Sequence, residues 1–514
     1  MELIRKNIHM DRLKCKAGTQ VALEDDVNIS DNKPDAAELI SRQGNVKLEE
    51  IKVTEDHVNV KGKLYFSVLY LSDEGERRFY CMDGSIPFDE QIYAEGVRNG
   101  DAVTVHSDIE DLQVGLINSR KMSVQALLNH IVTMEELYDE EAAVELYSEE
   151  PVEYRKKTID VSEIAIHKKD IFRLKEEVAI PQNMPNIFQL VWNKVKPANV
   201  QFKLMDGKLS IQGDMLVFLM YEGENGKNYW YETSMPFAGE IECHGCRETM
   251  IPHIRYNLGH KELEVRPDFD GEERIVGLDM VLELEMKLYD ESRVDMLADI
   301  YGVTKEIEPI FREGMYRNIL VRNQGKQKVS DRIKLKSGAT RILQLCHSDG
   351  SAKIEKMQIV ENGIQIVGTL QMDVLYITSE DEMPFASMMG EIPFTYTMDA
   401  PGITDMCTYD VEVTVEQLQV SMLDSEELDV KAVLNFSGIV FRNQHENWIT
   451  DIRMSGLDMN KLNELPGIVG YIVKEGDTLW QIGRKYYVTV ESLREMNGLT
   501  GDDLKPGDKI LIVK

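Results

Sequence analysis

The sequence has few of the patterns that mark membrane or secreted proteins. No run approaches the ~18 apolar residues of a membrane-spanning helix, and the best apolar run, Met215 to Tyr221, has the length of a strand. The N-terminal residues lack the apolar segment of a signal peptide, so we expect a chain that is cytosolic when made. Six scattered cysteines in 514 residues suit a reducing compartment.

Positive charge is also scarce. The chain has 58 Lys and Arg residues against 90 Asp and Glu residues, which gives a net charge of −32. Such a surface is repelled by the phosphates of nucleic acid and by an anionic membrane. We therefore expect neither nucleic-acid binding nor membrane insertion.

Catalytic signatures are missing as well. The sequence has no Gly-rich phosphate loop, no His-Glu-x-x-His and no Gly-x-Ser-x-Gly. The sharpest local candidate is Cys243-His244-Gly245-Cys246, which with two nearby histidines has the composition of a zinc site. The histidine spacing matches no common zinc module, and the alternative is a loop with two free thiols. We expect no catalytic residues, no cofactor and no metal, with Cys243 and Cys246 as the remaining candidate metal ligands.

An internal repeat dominates the first 450 residues. Three segments place apolar residues four and two positions before a glycine and a tyrosine eight positions after it: Val58–Tyr70, Leu209–Tyr221 and Ile364–Tyr376. A Pro-Phe pair follows each glycine after 25, 23 and 25 residues. Alternation with a period of two predicts strands, and a glycine inside a long strand suggests a bulge or a sharp bend.

The spacing of the repeat sets the predicted domain organisation. The three glycines are 151 and 155 residues apart, so three copies of one unit account for the body. We predict a mainly β chain of three tandem antiparallel β-sandwich-like domains, 1–150, 151–305 and 306–450, then a linker, 451–468. The acidic stretch 135–150 is a candidate helix between the first two units. Pro466-Gly467 at the end of the linker suggests a tail that swings.

The tail, 469–514, has a different pattern. Thr478 stands three residues before Gln481, the spacing of a capping box, at the start of a predicted helix. Thr489 is expected to cap a second helix, which ends at Asn497-Gly498. With a short β-prone run on each side, the tail is predicted to be a small βααβ domain.

The tail resembles the LysM family. The residues V-K-x-G-D-T-L-W-x-I, then L-x-x-x-N-x-L and L-x-P-G, carry the resemblance. LysM domains typically bind N-acetylglucosamine-containing glycans such as peptidoglycan, in a shallow groove between two loops. Carried onto this chain, the resemblance implies a groove for glycan or protein at Gly476, Asp477, Thr478, Leu479, Trp480, Asn497, Gly498, Leu499, Leu504 and Pro506. Trp480 is either a stacking platform or anchor for a partner, or a cover for the small core.

Three such β units before a terminal LysM domain resemble the SipL-like spore coat morphogenetic proteins. The repeated unit, the stretch Lys33-Pro34-Asp35 and the LysM pattern carry this resemblance. It implies a non-enzymatic scaffold in the mother-cell cytoplasm, at the forespore surface and spore coat. Its LysM domain would dock onto an ATP-hydrolysing coat protein, and the β units would contact other coat proteins. The alternative is a peptidoglycan-binding protein of the cell wall or spore cortex; the lack of a signal peptide favours the scaffold.

Overall fold

The computed structural model describes residues 1–73, 79–380, 383–457 and 466–513, most of them in antiparallel strands. The first six strands are β1 (Glu2–Asn28), β2 (Glu38–Thr54), β3 (His57–Leu71), β4 (Phe79–Tyr93), β5 (Val103–Asn118) and β6 (Lys121–Tyr147). They form two three-stranded sheets, ordered β1-β6-β5 and β2-β3-β4. The apolar faces of the two sheets pack together around Val60, Phe66 and Leu128. We call this two-layer sandwich repeat 1.

The same order of six strands recurs twice. Repeat 2 consists of β7 (Val152–Ala179), β8 (Ile187–Met205), β9 (Lys208–Gly223), β10 (Asn228–Glu242), β11 (Ile251–Pro267) and β12 (Glu273–Gly302). Repeat 3 consists of β13 (Lys305–Lys334), β14 (Ile342–Val360), β15 (Gly363–Thr378), β16 (Phe385–Asp399), β17 (Cys407–Met422) and β18 (Glu427–Gly456). Their sheets, β11-β12-β7 with β10-β9-β8 and β13-β18-β17 with β14-β15-β16, match those of repeat 1. The predicted mainly β class is confirmed.

The repeated glycine lies under the phenylalanine of the Pro-Phe pair. The cross-strand partners are Gly62 with Phe88, Gly213 with Phe237 and Gly368 with Phe394. A Cβ at any of these glycines would stand 2.6–2.7 Å from the ring, so a larger residue does not fit. The strand on the other side of each glycine is bulged at that place. The irregularity suggested by the glycine is therefore present, but in the neighbouring strand.

The repeated tyrosine ties the long strand to the segment that precedes β2, β8 or β14. Its hydroxyl donates to a backbone carbonyl 36 residues earlier: Tyr70 to Pro34 at 3.1 Å, Tyr221 to Pro185 at 3.1 Å and Tyr376 to Thr340 at 3.3 Å. All three rings are buried. Burial raises the pKa of Tyr70 and Tyr221 to about 12. The repeat signature is thus explained by packing and hydrogen bonding within each sandwich.

The outer halves of six long strands leave the sandwiches and share one core. These strands pair as three ribbons: ribbon 1 is β1 with β6, ribbon 2 is β7 with β12 and ribbon 3 is β13 with β18. Each strand is 27 to 30 residues long. Residues from all three ribbons, including Ile8, Val161, Leu297 and Ile449, are buried together. We call residues 2–13, 135–147, 152–164, 289–302, 305–319 and 441–456 the stem.

The stem overturns the helix predicted for 135–150. Those residues belong to β6 as far as Tyr147. Asp139 and Glu141 are exposed while Glu140 and Ala142 are buried, which is the alternation of a strand. Acidic composition alone indicated an exposed segment but did not reveal its period. The helix prediction was wrong because the pairing with β1 decides the conformation.

A second core joins the three sandwiches away from the stem. It buries Leu69 of repeat 1, Trp192 and Phe218 of repeat 2, and Leu375 and Phe385 of repeat 3. Ion pairs cross the same boundaries, for example Lys194 with Asp373 at 2.8 Å between repeats 2 and 3. The three repeats therefore pack on one another rather than hanging from linkers.

The tail forms β19 (Ile468–Ile472), α1 (Leu479–Tyr486), α2 (Val490–Asn497) and β20 (Lys509–Val513), with β19 and β20 paired antiparallel. Thr478 and Gln481 make the predicted capping box, and Thr489 caps α2. The βααβ prediction is confirmed. Strand β18 ends at Gly456, inside the stretch 451–468 suggested as a linker; residues 458–465 of that stretch lie outside the described residues.

Candidate functional site in the C-terminal domain

The first groove loop joins β19 to α1. Gly476 has φ +88°, a left-handed conformation that favours glycine. The Asp477 carboxylate accepts hydrogen bonds from the backbone N–H of Lys474 at 2.8 Å and from the Tyr471 hydroxyl at 2.7 Å. These bonds lower the pKa of Asp477. Among the predicted groove residues, Asp477 therefore shapes the loop, Thr478 caps the helix and Leu479 is buried beneath.

The second groove loop joins α2 to β20. The Asn497 side chain accepts from the backbone N–H of Leu511 at 2.6 Å and donates to its carbonyl at 2.8 Å. Gly498 ends α2 with φ +61°. Leu499 and Leu504 pack against the small core, while Pro506 is exposed.

Backbone hydrogen bonds tie the two loops together. The N–H of Gly507 donates to the carbonyl of Val473 at 2.8 Å, and the N–H of Val473 donates to the carbonyl of Asp508 at 2.9 Å. Arg494 braces the second loop through a 2.6 Å contact with Asp502, which lowers the pKa of Asp502. The loops thus stand on a fixed frame and expose charged side chains such as Glu475 and Asp503 to solvent.

Trp480 lies on α1 and contacts the stem. Its indole N–H donates to a carboxylate oxygen of Asp299 at 2.8 Å, and its ring meets that of Tyr301 edge-on at 4.7 Å. The guanidinium of Arg155 lies 4.8 Å from the indole centroid. Only 5% of Trp480 is exposed, so in this arrangement it is covered rather than open as a platform.

Further contacts extend this junction. We call it the dock: it joins Arg155, Asp299, Tyr301 and Glu306 of the stem to Trp480, Arg484, Tyr487 and Val488 of the tail. Arg484 donates to both carboxylate oxygens of Asp299 at 3.1 and 3.2 Å. The Tyr301 hydroxyl donates to the Val488 carbonyl at 2.9 Å, and the ring is 2% exposed. The Tyr487 hydroxyl is 2.6 Å from Glu306. The tail is thus held on the stem, contrary to the expectation of a tail that swings, because aromatic packing and charged hydrogen bonds fasten α1.

The stem half of the dock was missed by sequence reasoning. Asp299 and Trp480 are 181 residues apart, and nothing in the pattern around Asp299 distinguishes it from other acidic residues of an acidic chain. Only the folded arrangement connects the two.

Cys243 and Cys246 occupy a turn that all three repeats contain. The Cys246 N–H donates to the Cys243 carbonyl at 3.0 Å, and Gly245 between them has φ +82°. The corresponding turns are Ala94–Val97, with Gly96 at φ +79°, and Ala400–Ile403, with Gly402 at φ +76°.

The two thiols thus take positions filled by apolar side chains in the other repeats. Burial raises the pKa of Cys243 to about 11, which disfavours the thiolate that binds metals. Over the described ranges, no group of three or more His, Cys, Asp or Glu side chains is arranged to hold a metal ion.

Ionisable groups cluster where repeats 2 and 3 meet. An Asp410 carboxylate oxygen on β17 is 2.8 Å from the His253 ring on β11, and Arg255 pairs with the same carboxylate. Burial by itself raises the pKa of Asp410, but the His253 hydrogen bond and the Arg255 charge outweigh it and hold that pKa well below its usual range. The cluster therefore acts as a brace between two repeats.

The family comparisons agree with this architecture. The SipL SPOCS domain model matches residues 35–117, 186–266 and 341–423, and the LysM domain model matches 471–513. The chain is a SipL-like protein. It is a sporulation protein with a LysM domain of the peptidoglycan-binding type. No curated protein and no solved structure matches the chain.

The SPOCS matches run from the second to the fifth strand of each repeat, so the long stem strands lie outside them. The stem and the dock are therefore features of this SipL-like chain that the matched segments do not describe. Within the part of the chain that the structure covers, no helix has the length and apolar character to cross a membrane.

Proposed function

We propose that this chain is a non-enzymatic scaffold of the spore coat in the mother-cell cytoplasm. Its LysM domain docks onto a coat ATPase protein at the forespore surface. The observation that supports this proposal best is the dock, because Trp480, Arg484 and Tyr301 hold the LysM domain in one orientation while Gly476 and Pro506 stay exposed. A recognition domain that is held rigidly loses little conformational entropy on binding.

Charge supports a role for the repeats as well. Residues 471–514 contain seven basic and seven acidic residues, so the whole net charge of −32 belongs to residues 1–470. A body of one sign steers oppositely charged surfaces toward itself, and basic coat proteins are the partners that this charge suits. We also propose the units 1–150, 151–305, 306–450 and 469–514, joined through 451–468, as the functional divisions.

The test is localisation of the full-length chain, carrying a fluorescent tag, during sporulation. We expect a ring at the forespore surface, and capture of the chain on beads that bear the purified coat ATPase. Asp503→Lys, at an exposed position of the second groove loop, should weaken both. Asp270→Lys, on the exposed turn between β11 and β12, makes the same charge change far along the chain and should weaken neither. Diffuse fluorescence with no capture would contradict the proposal.

Peptidoglycan binding is the second candidate function. The exposed loops of the LysM domain favour it, and so does the covered position of Trp480. Because Trp480 is buried against the stem, its ring is not accessible to a protein partner, whereas the groove loops remain accessible to a glycan. Co-sedimentation of the full-length chain with purified peptidoglycan, with N-acetylglucosamine oligomers as competitor, measures it. Strong retention that the oligomers abolish, without capture by the coat ATPase, would replace the scaffold proposal.

A further inference from the structure

Each stem ribbon carries the same irregularity close to the end where the LysM domain docks. In β6, β12 and β18 one residue is unpaired, and the residue after it is acidic: Glu145, Asp299 and Asp451. Their cross-strand partners are Ile4, Arg155 and Ile310. Asp299 is the acceptor at the centre of the dock. The bulged backbone that presents Asp299 therefore occurs in all three ribbons.

Ribbon 1 also repeats the aromatic half of the dock. Two residues after the acid, Tyr147 occupies the place that Tyr301 has in ribbon 2, and both face a glutamate across the ribbon. Ribbon 3 has Arg453 there. Tyr301 is 2% exposed because the LysM domain covers it, whereas Tyr147 is 65% exposed. Of the two other ribbons, ribbon 1 thus keeps the acid and the aromatic ring together, and its tyrosine is uncovered.

The surroundings of Tyr147 suit a helix like α1. Ile4 is exposed beside Glu145, in the place of Arg155, and offers an apolar surface to an indole ring. A cavity of about 580 Å³, lined in part by Glu2 and Tyr147, opens next to it. Tyr147 thus places an exposed aromatic ring at the rim of a cavity, and the exposed Ile4 lies diagonally across the ribbon from it.

The negative charge of Glu145 also matches that of Asp299 in the dock. Glu145 already holds a cation and a neutral donor, since the Lys156 ammonium lies 2.9 Å from one carboxylate oxygen and the Tyr154 hydroxyl donates to the other at 3.3 Å. In the dock the corresponding carboxylate holds Arg484 and the Trp480 N–H together. In the dock the Arg484 guanidinium reaches both oxygens of Asp299, and its planar array of donors fits a carboxylate better than a strongly hydrated ammonium does, so an arginine four residues after a tryptophan can displace the lysine.

We propose that Ile4, Glu145 and Tyr147 form a second dock, which receives the LysM domain of a second copy of this chain. Trp480 packs on Tyr147 and donates to Glu145 in place of the Tyr154 hydroxyl, and Arg484 replaces Lys156. A tail that leaves its own stem can thereby join two molecules. The contact is heterologous, with different surfaces on the two copies, so it can continue from one molecule to the next as an assembly of a scaffold requires.

The test uses full-length chains as donor and acceptor. The donor carries Asp299→Ala, which releases its tail; a second donor, Asp299→Asn, keeps the shape of the side chain. The acceptor carries Trp480→Ala, so it cannot donate a tail whether or not its own LysM domain stays folded. Sedimentation velocity on mixtures of donor and acceptor, with a fluorescent label on the donor, measures association.

We expect association that falls at least tenfold when the acceptor also carries Tyr147→Ala, since central aromatic anchors dominate such interfaces. Tyr93→Ala in the acceptor is the matched control, because Tyr93 is an equally exposed tyrosine of repeat 1 outside the stem. Association that survives Tyr147→Ala and disappears with Asp299→Ala in the acceptor would mean exchange of tails between the existing docks. That result would overturn the proposal, and so would a lack of association with both donors.

Discussion

The stem contains a buried ion pair between repeats 1 and 3, to which repeat 2 adds a hydroxyl donor, and the loss of this network should be costly. Arg317 of repeat 3 lies 2.7 Å from the Asp11 carboxylate of repeat 1, and the two residues are 7% and 2% exposed. Tyr289 of repeat 2 donates its hydroxyl to the same carboxylate at 2.8 Å. The guanidinium also lies 3.6 Å from the ring centroid of Phe441. Arg317→Ala leaves Asp11 buried with one neutral donor, and removal of one partner of a buried pair costs about 3–5 kcal/mol.

Urea denaturation followed by circular dichroism measures this loss, and hydrogen exchange locates it. We expect faster exchange in stem strands of all three repeats, since each supplies one member of the network. Arg293→Ala is the control: Arg293 pairs with Asp160 at 3.2 Å but is 82% exposed, so the loss should stay below about 1 kcal/mol. Equal losses in the two variants, or faster exchange confined to repeat 3, would refute the view that the pair holds the repeats together.

Three further predictions concern the dock, the brace and the thiols. Gly483→Ala places a Cβ 2.5 Å from the stem tyrosine hydroxyl and should loosen the tail, seen as faster proteolysis after β18, whereas Gly470→Ala meets nothing within 4 Å and should not. The pKa of Asp410 is lower in the folded than in the unfolded chain, so its carboxylate stabilises the fold at pH values above the unfolded pKa of about 3.9, and this stabilisation fades as the pH falls below that value. Asp410→Asn should therefore flatten the acid limb of a profile of stability against pH. An unchanged acid limb would contradict the role of Asp410. Cys243→Ala with Cys246→Val reproduces the turn of repeat 1 and should change the thermal midpoint little; a large drop, or zinc found by elemental analysis in the parent chain only, would reinstate the metal hypothesis.

The local patterns predicted much of the fold. Period-two alternation around Gly62, Gly213 and Gly368 identified strands, because neighbouring side chains of a strand face opposite sides regardless of the partner strand. The Thr478–Gln481 spacing identified the start of α1, since a capping box is satisfied within four residues. Both signals are short-range, and both are confirmed.

The helix predicted for 135–150 and the swinging tail were wrong for a common reason. Each depends on a partner far along the chain: β1 for the first, and Asp299 with Tyr301 for the second. Composition describes the exposure of such a segment but not what it pairs with. The predicted groove residues of the LysM domain, by contrast, rest on a pattern contained within the tail, and they stay a prediction.

The sequence by itself determined that this protein is mainly β, that one unit is used three times, and that the chain closes with a LysM domain. Periodicity, turn residues and caps act over a few residues, so they can be read without the fold. Tertiary structure alone decided that the three units share a stem, that Trp480 is covered, and that Tyr147 stands uncovered where Tyr301 does not. Those features arise from contacts between residues hundreds of positions apart, such as Asp11 with Arg317 and Arg5 with Thr450, and no local pattern records such a pairing.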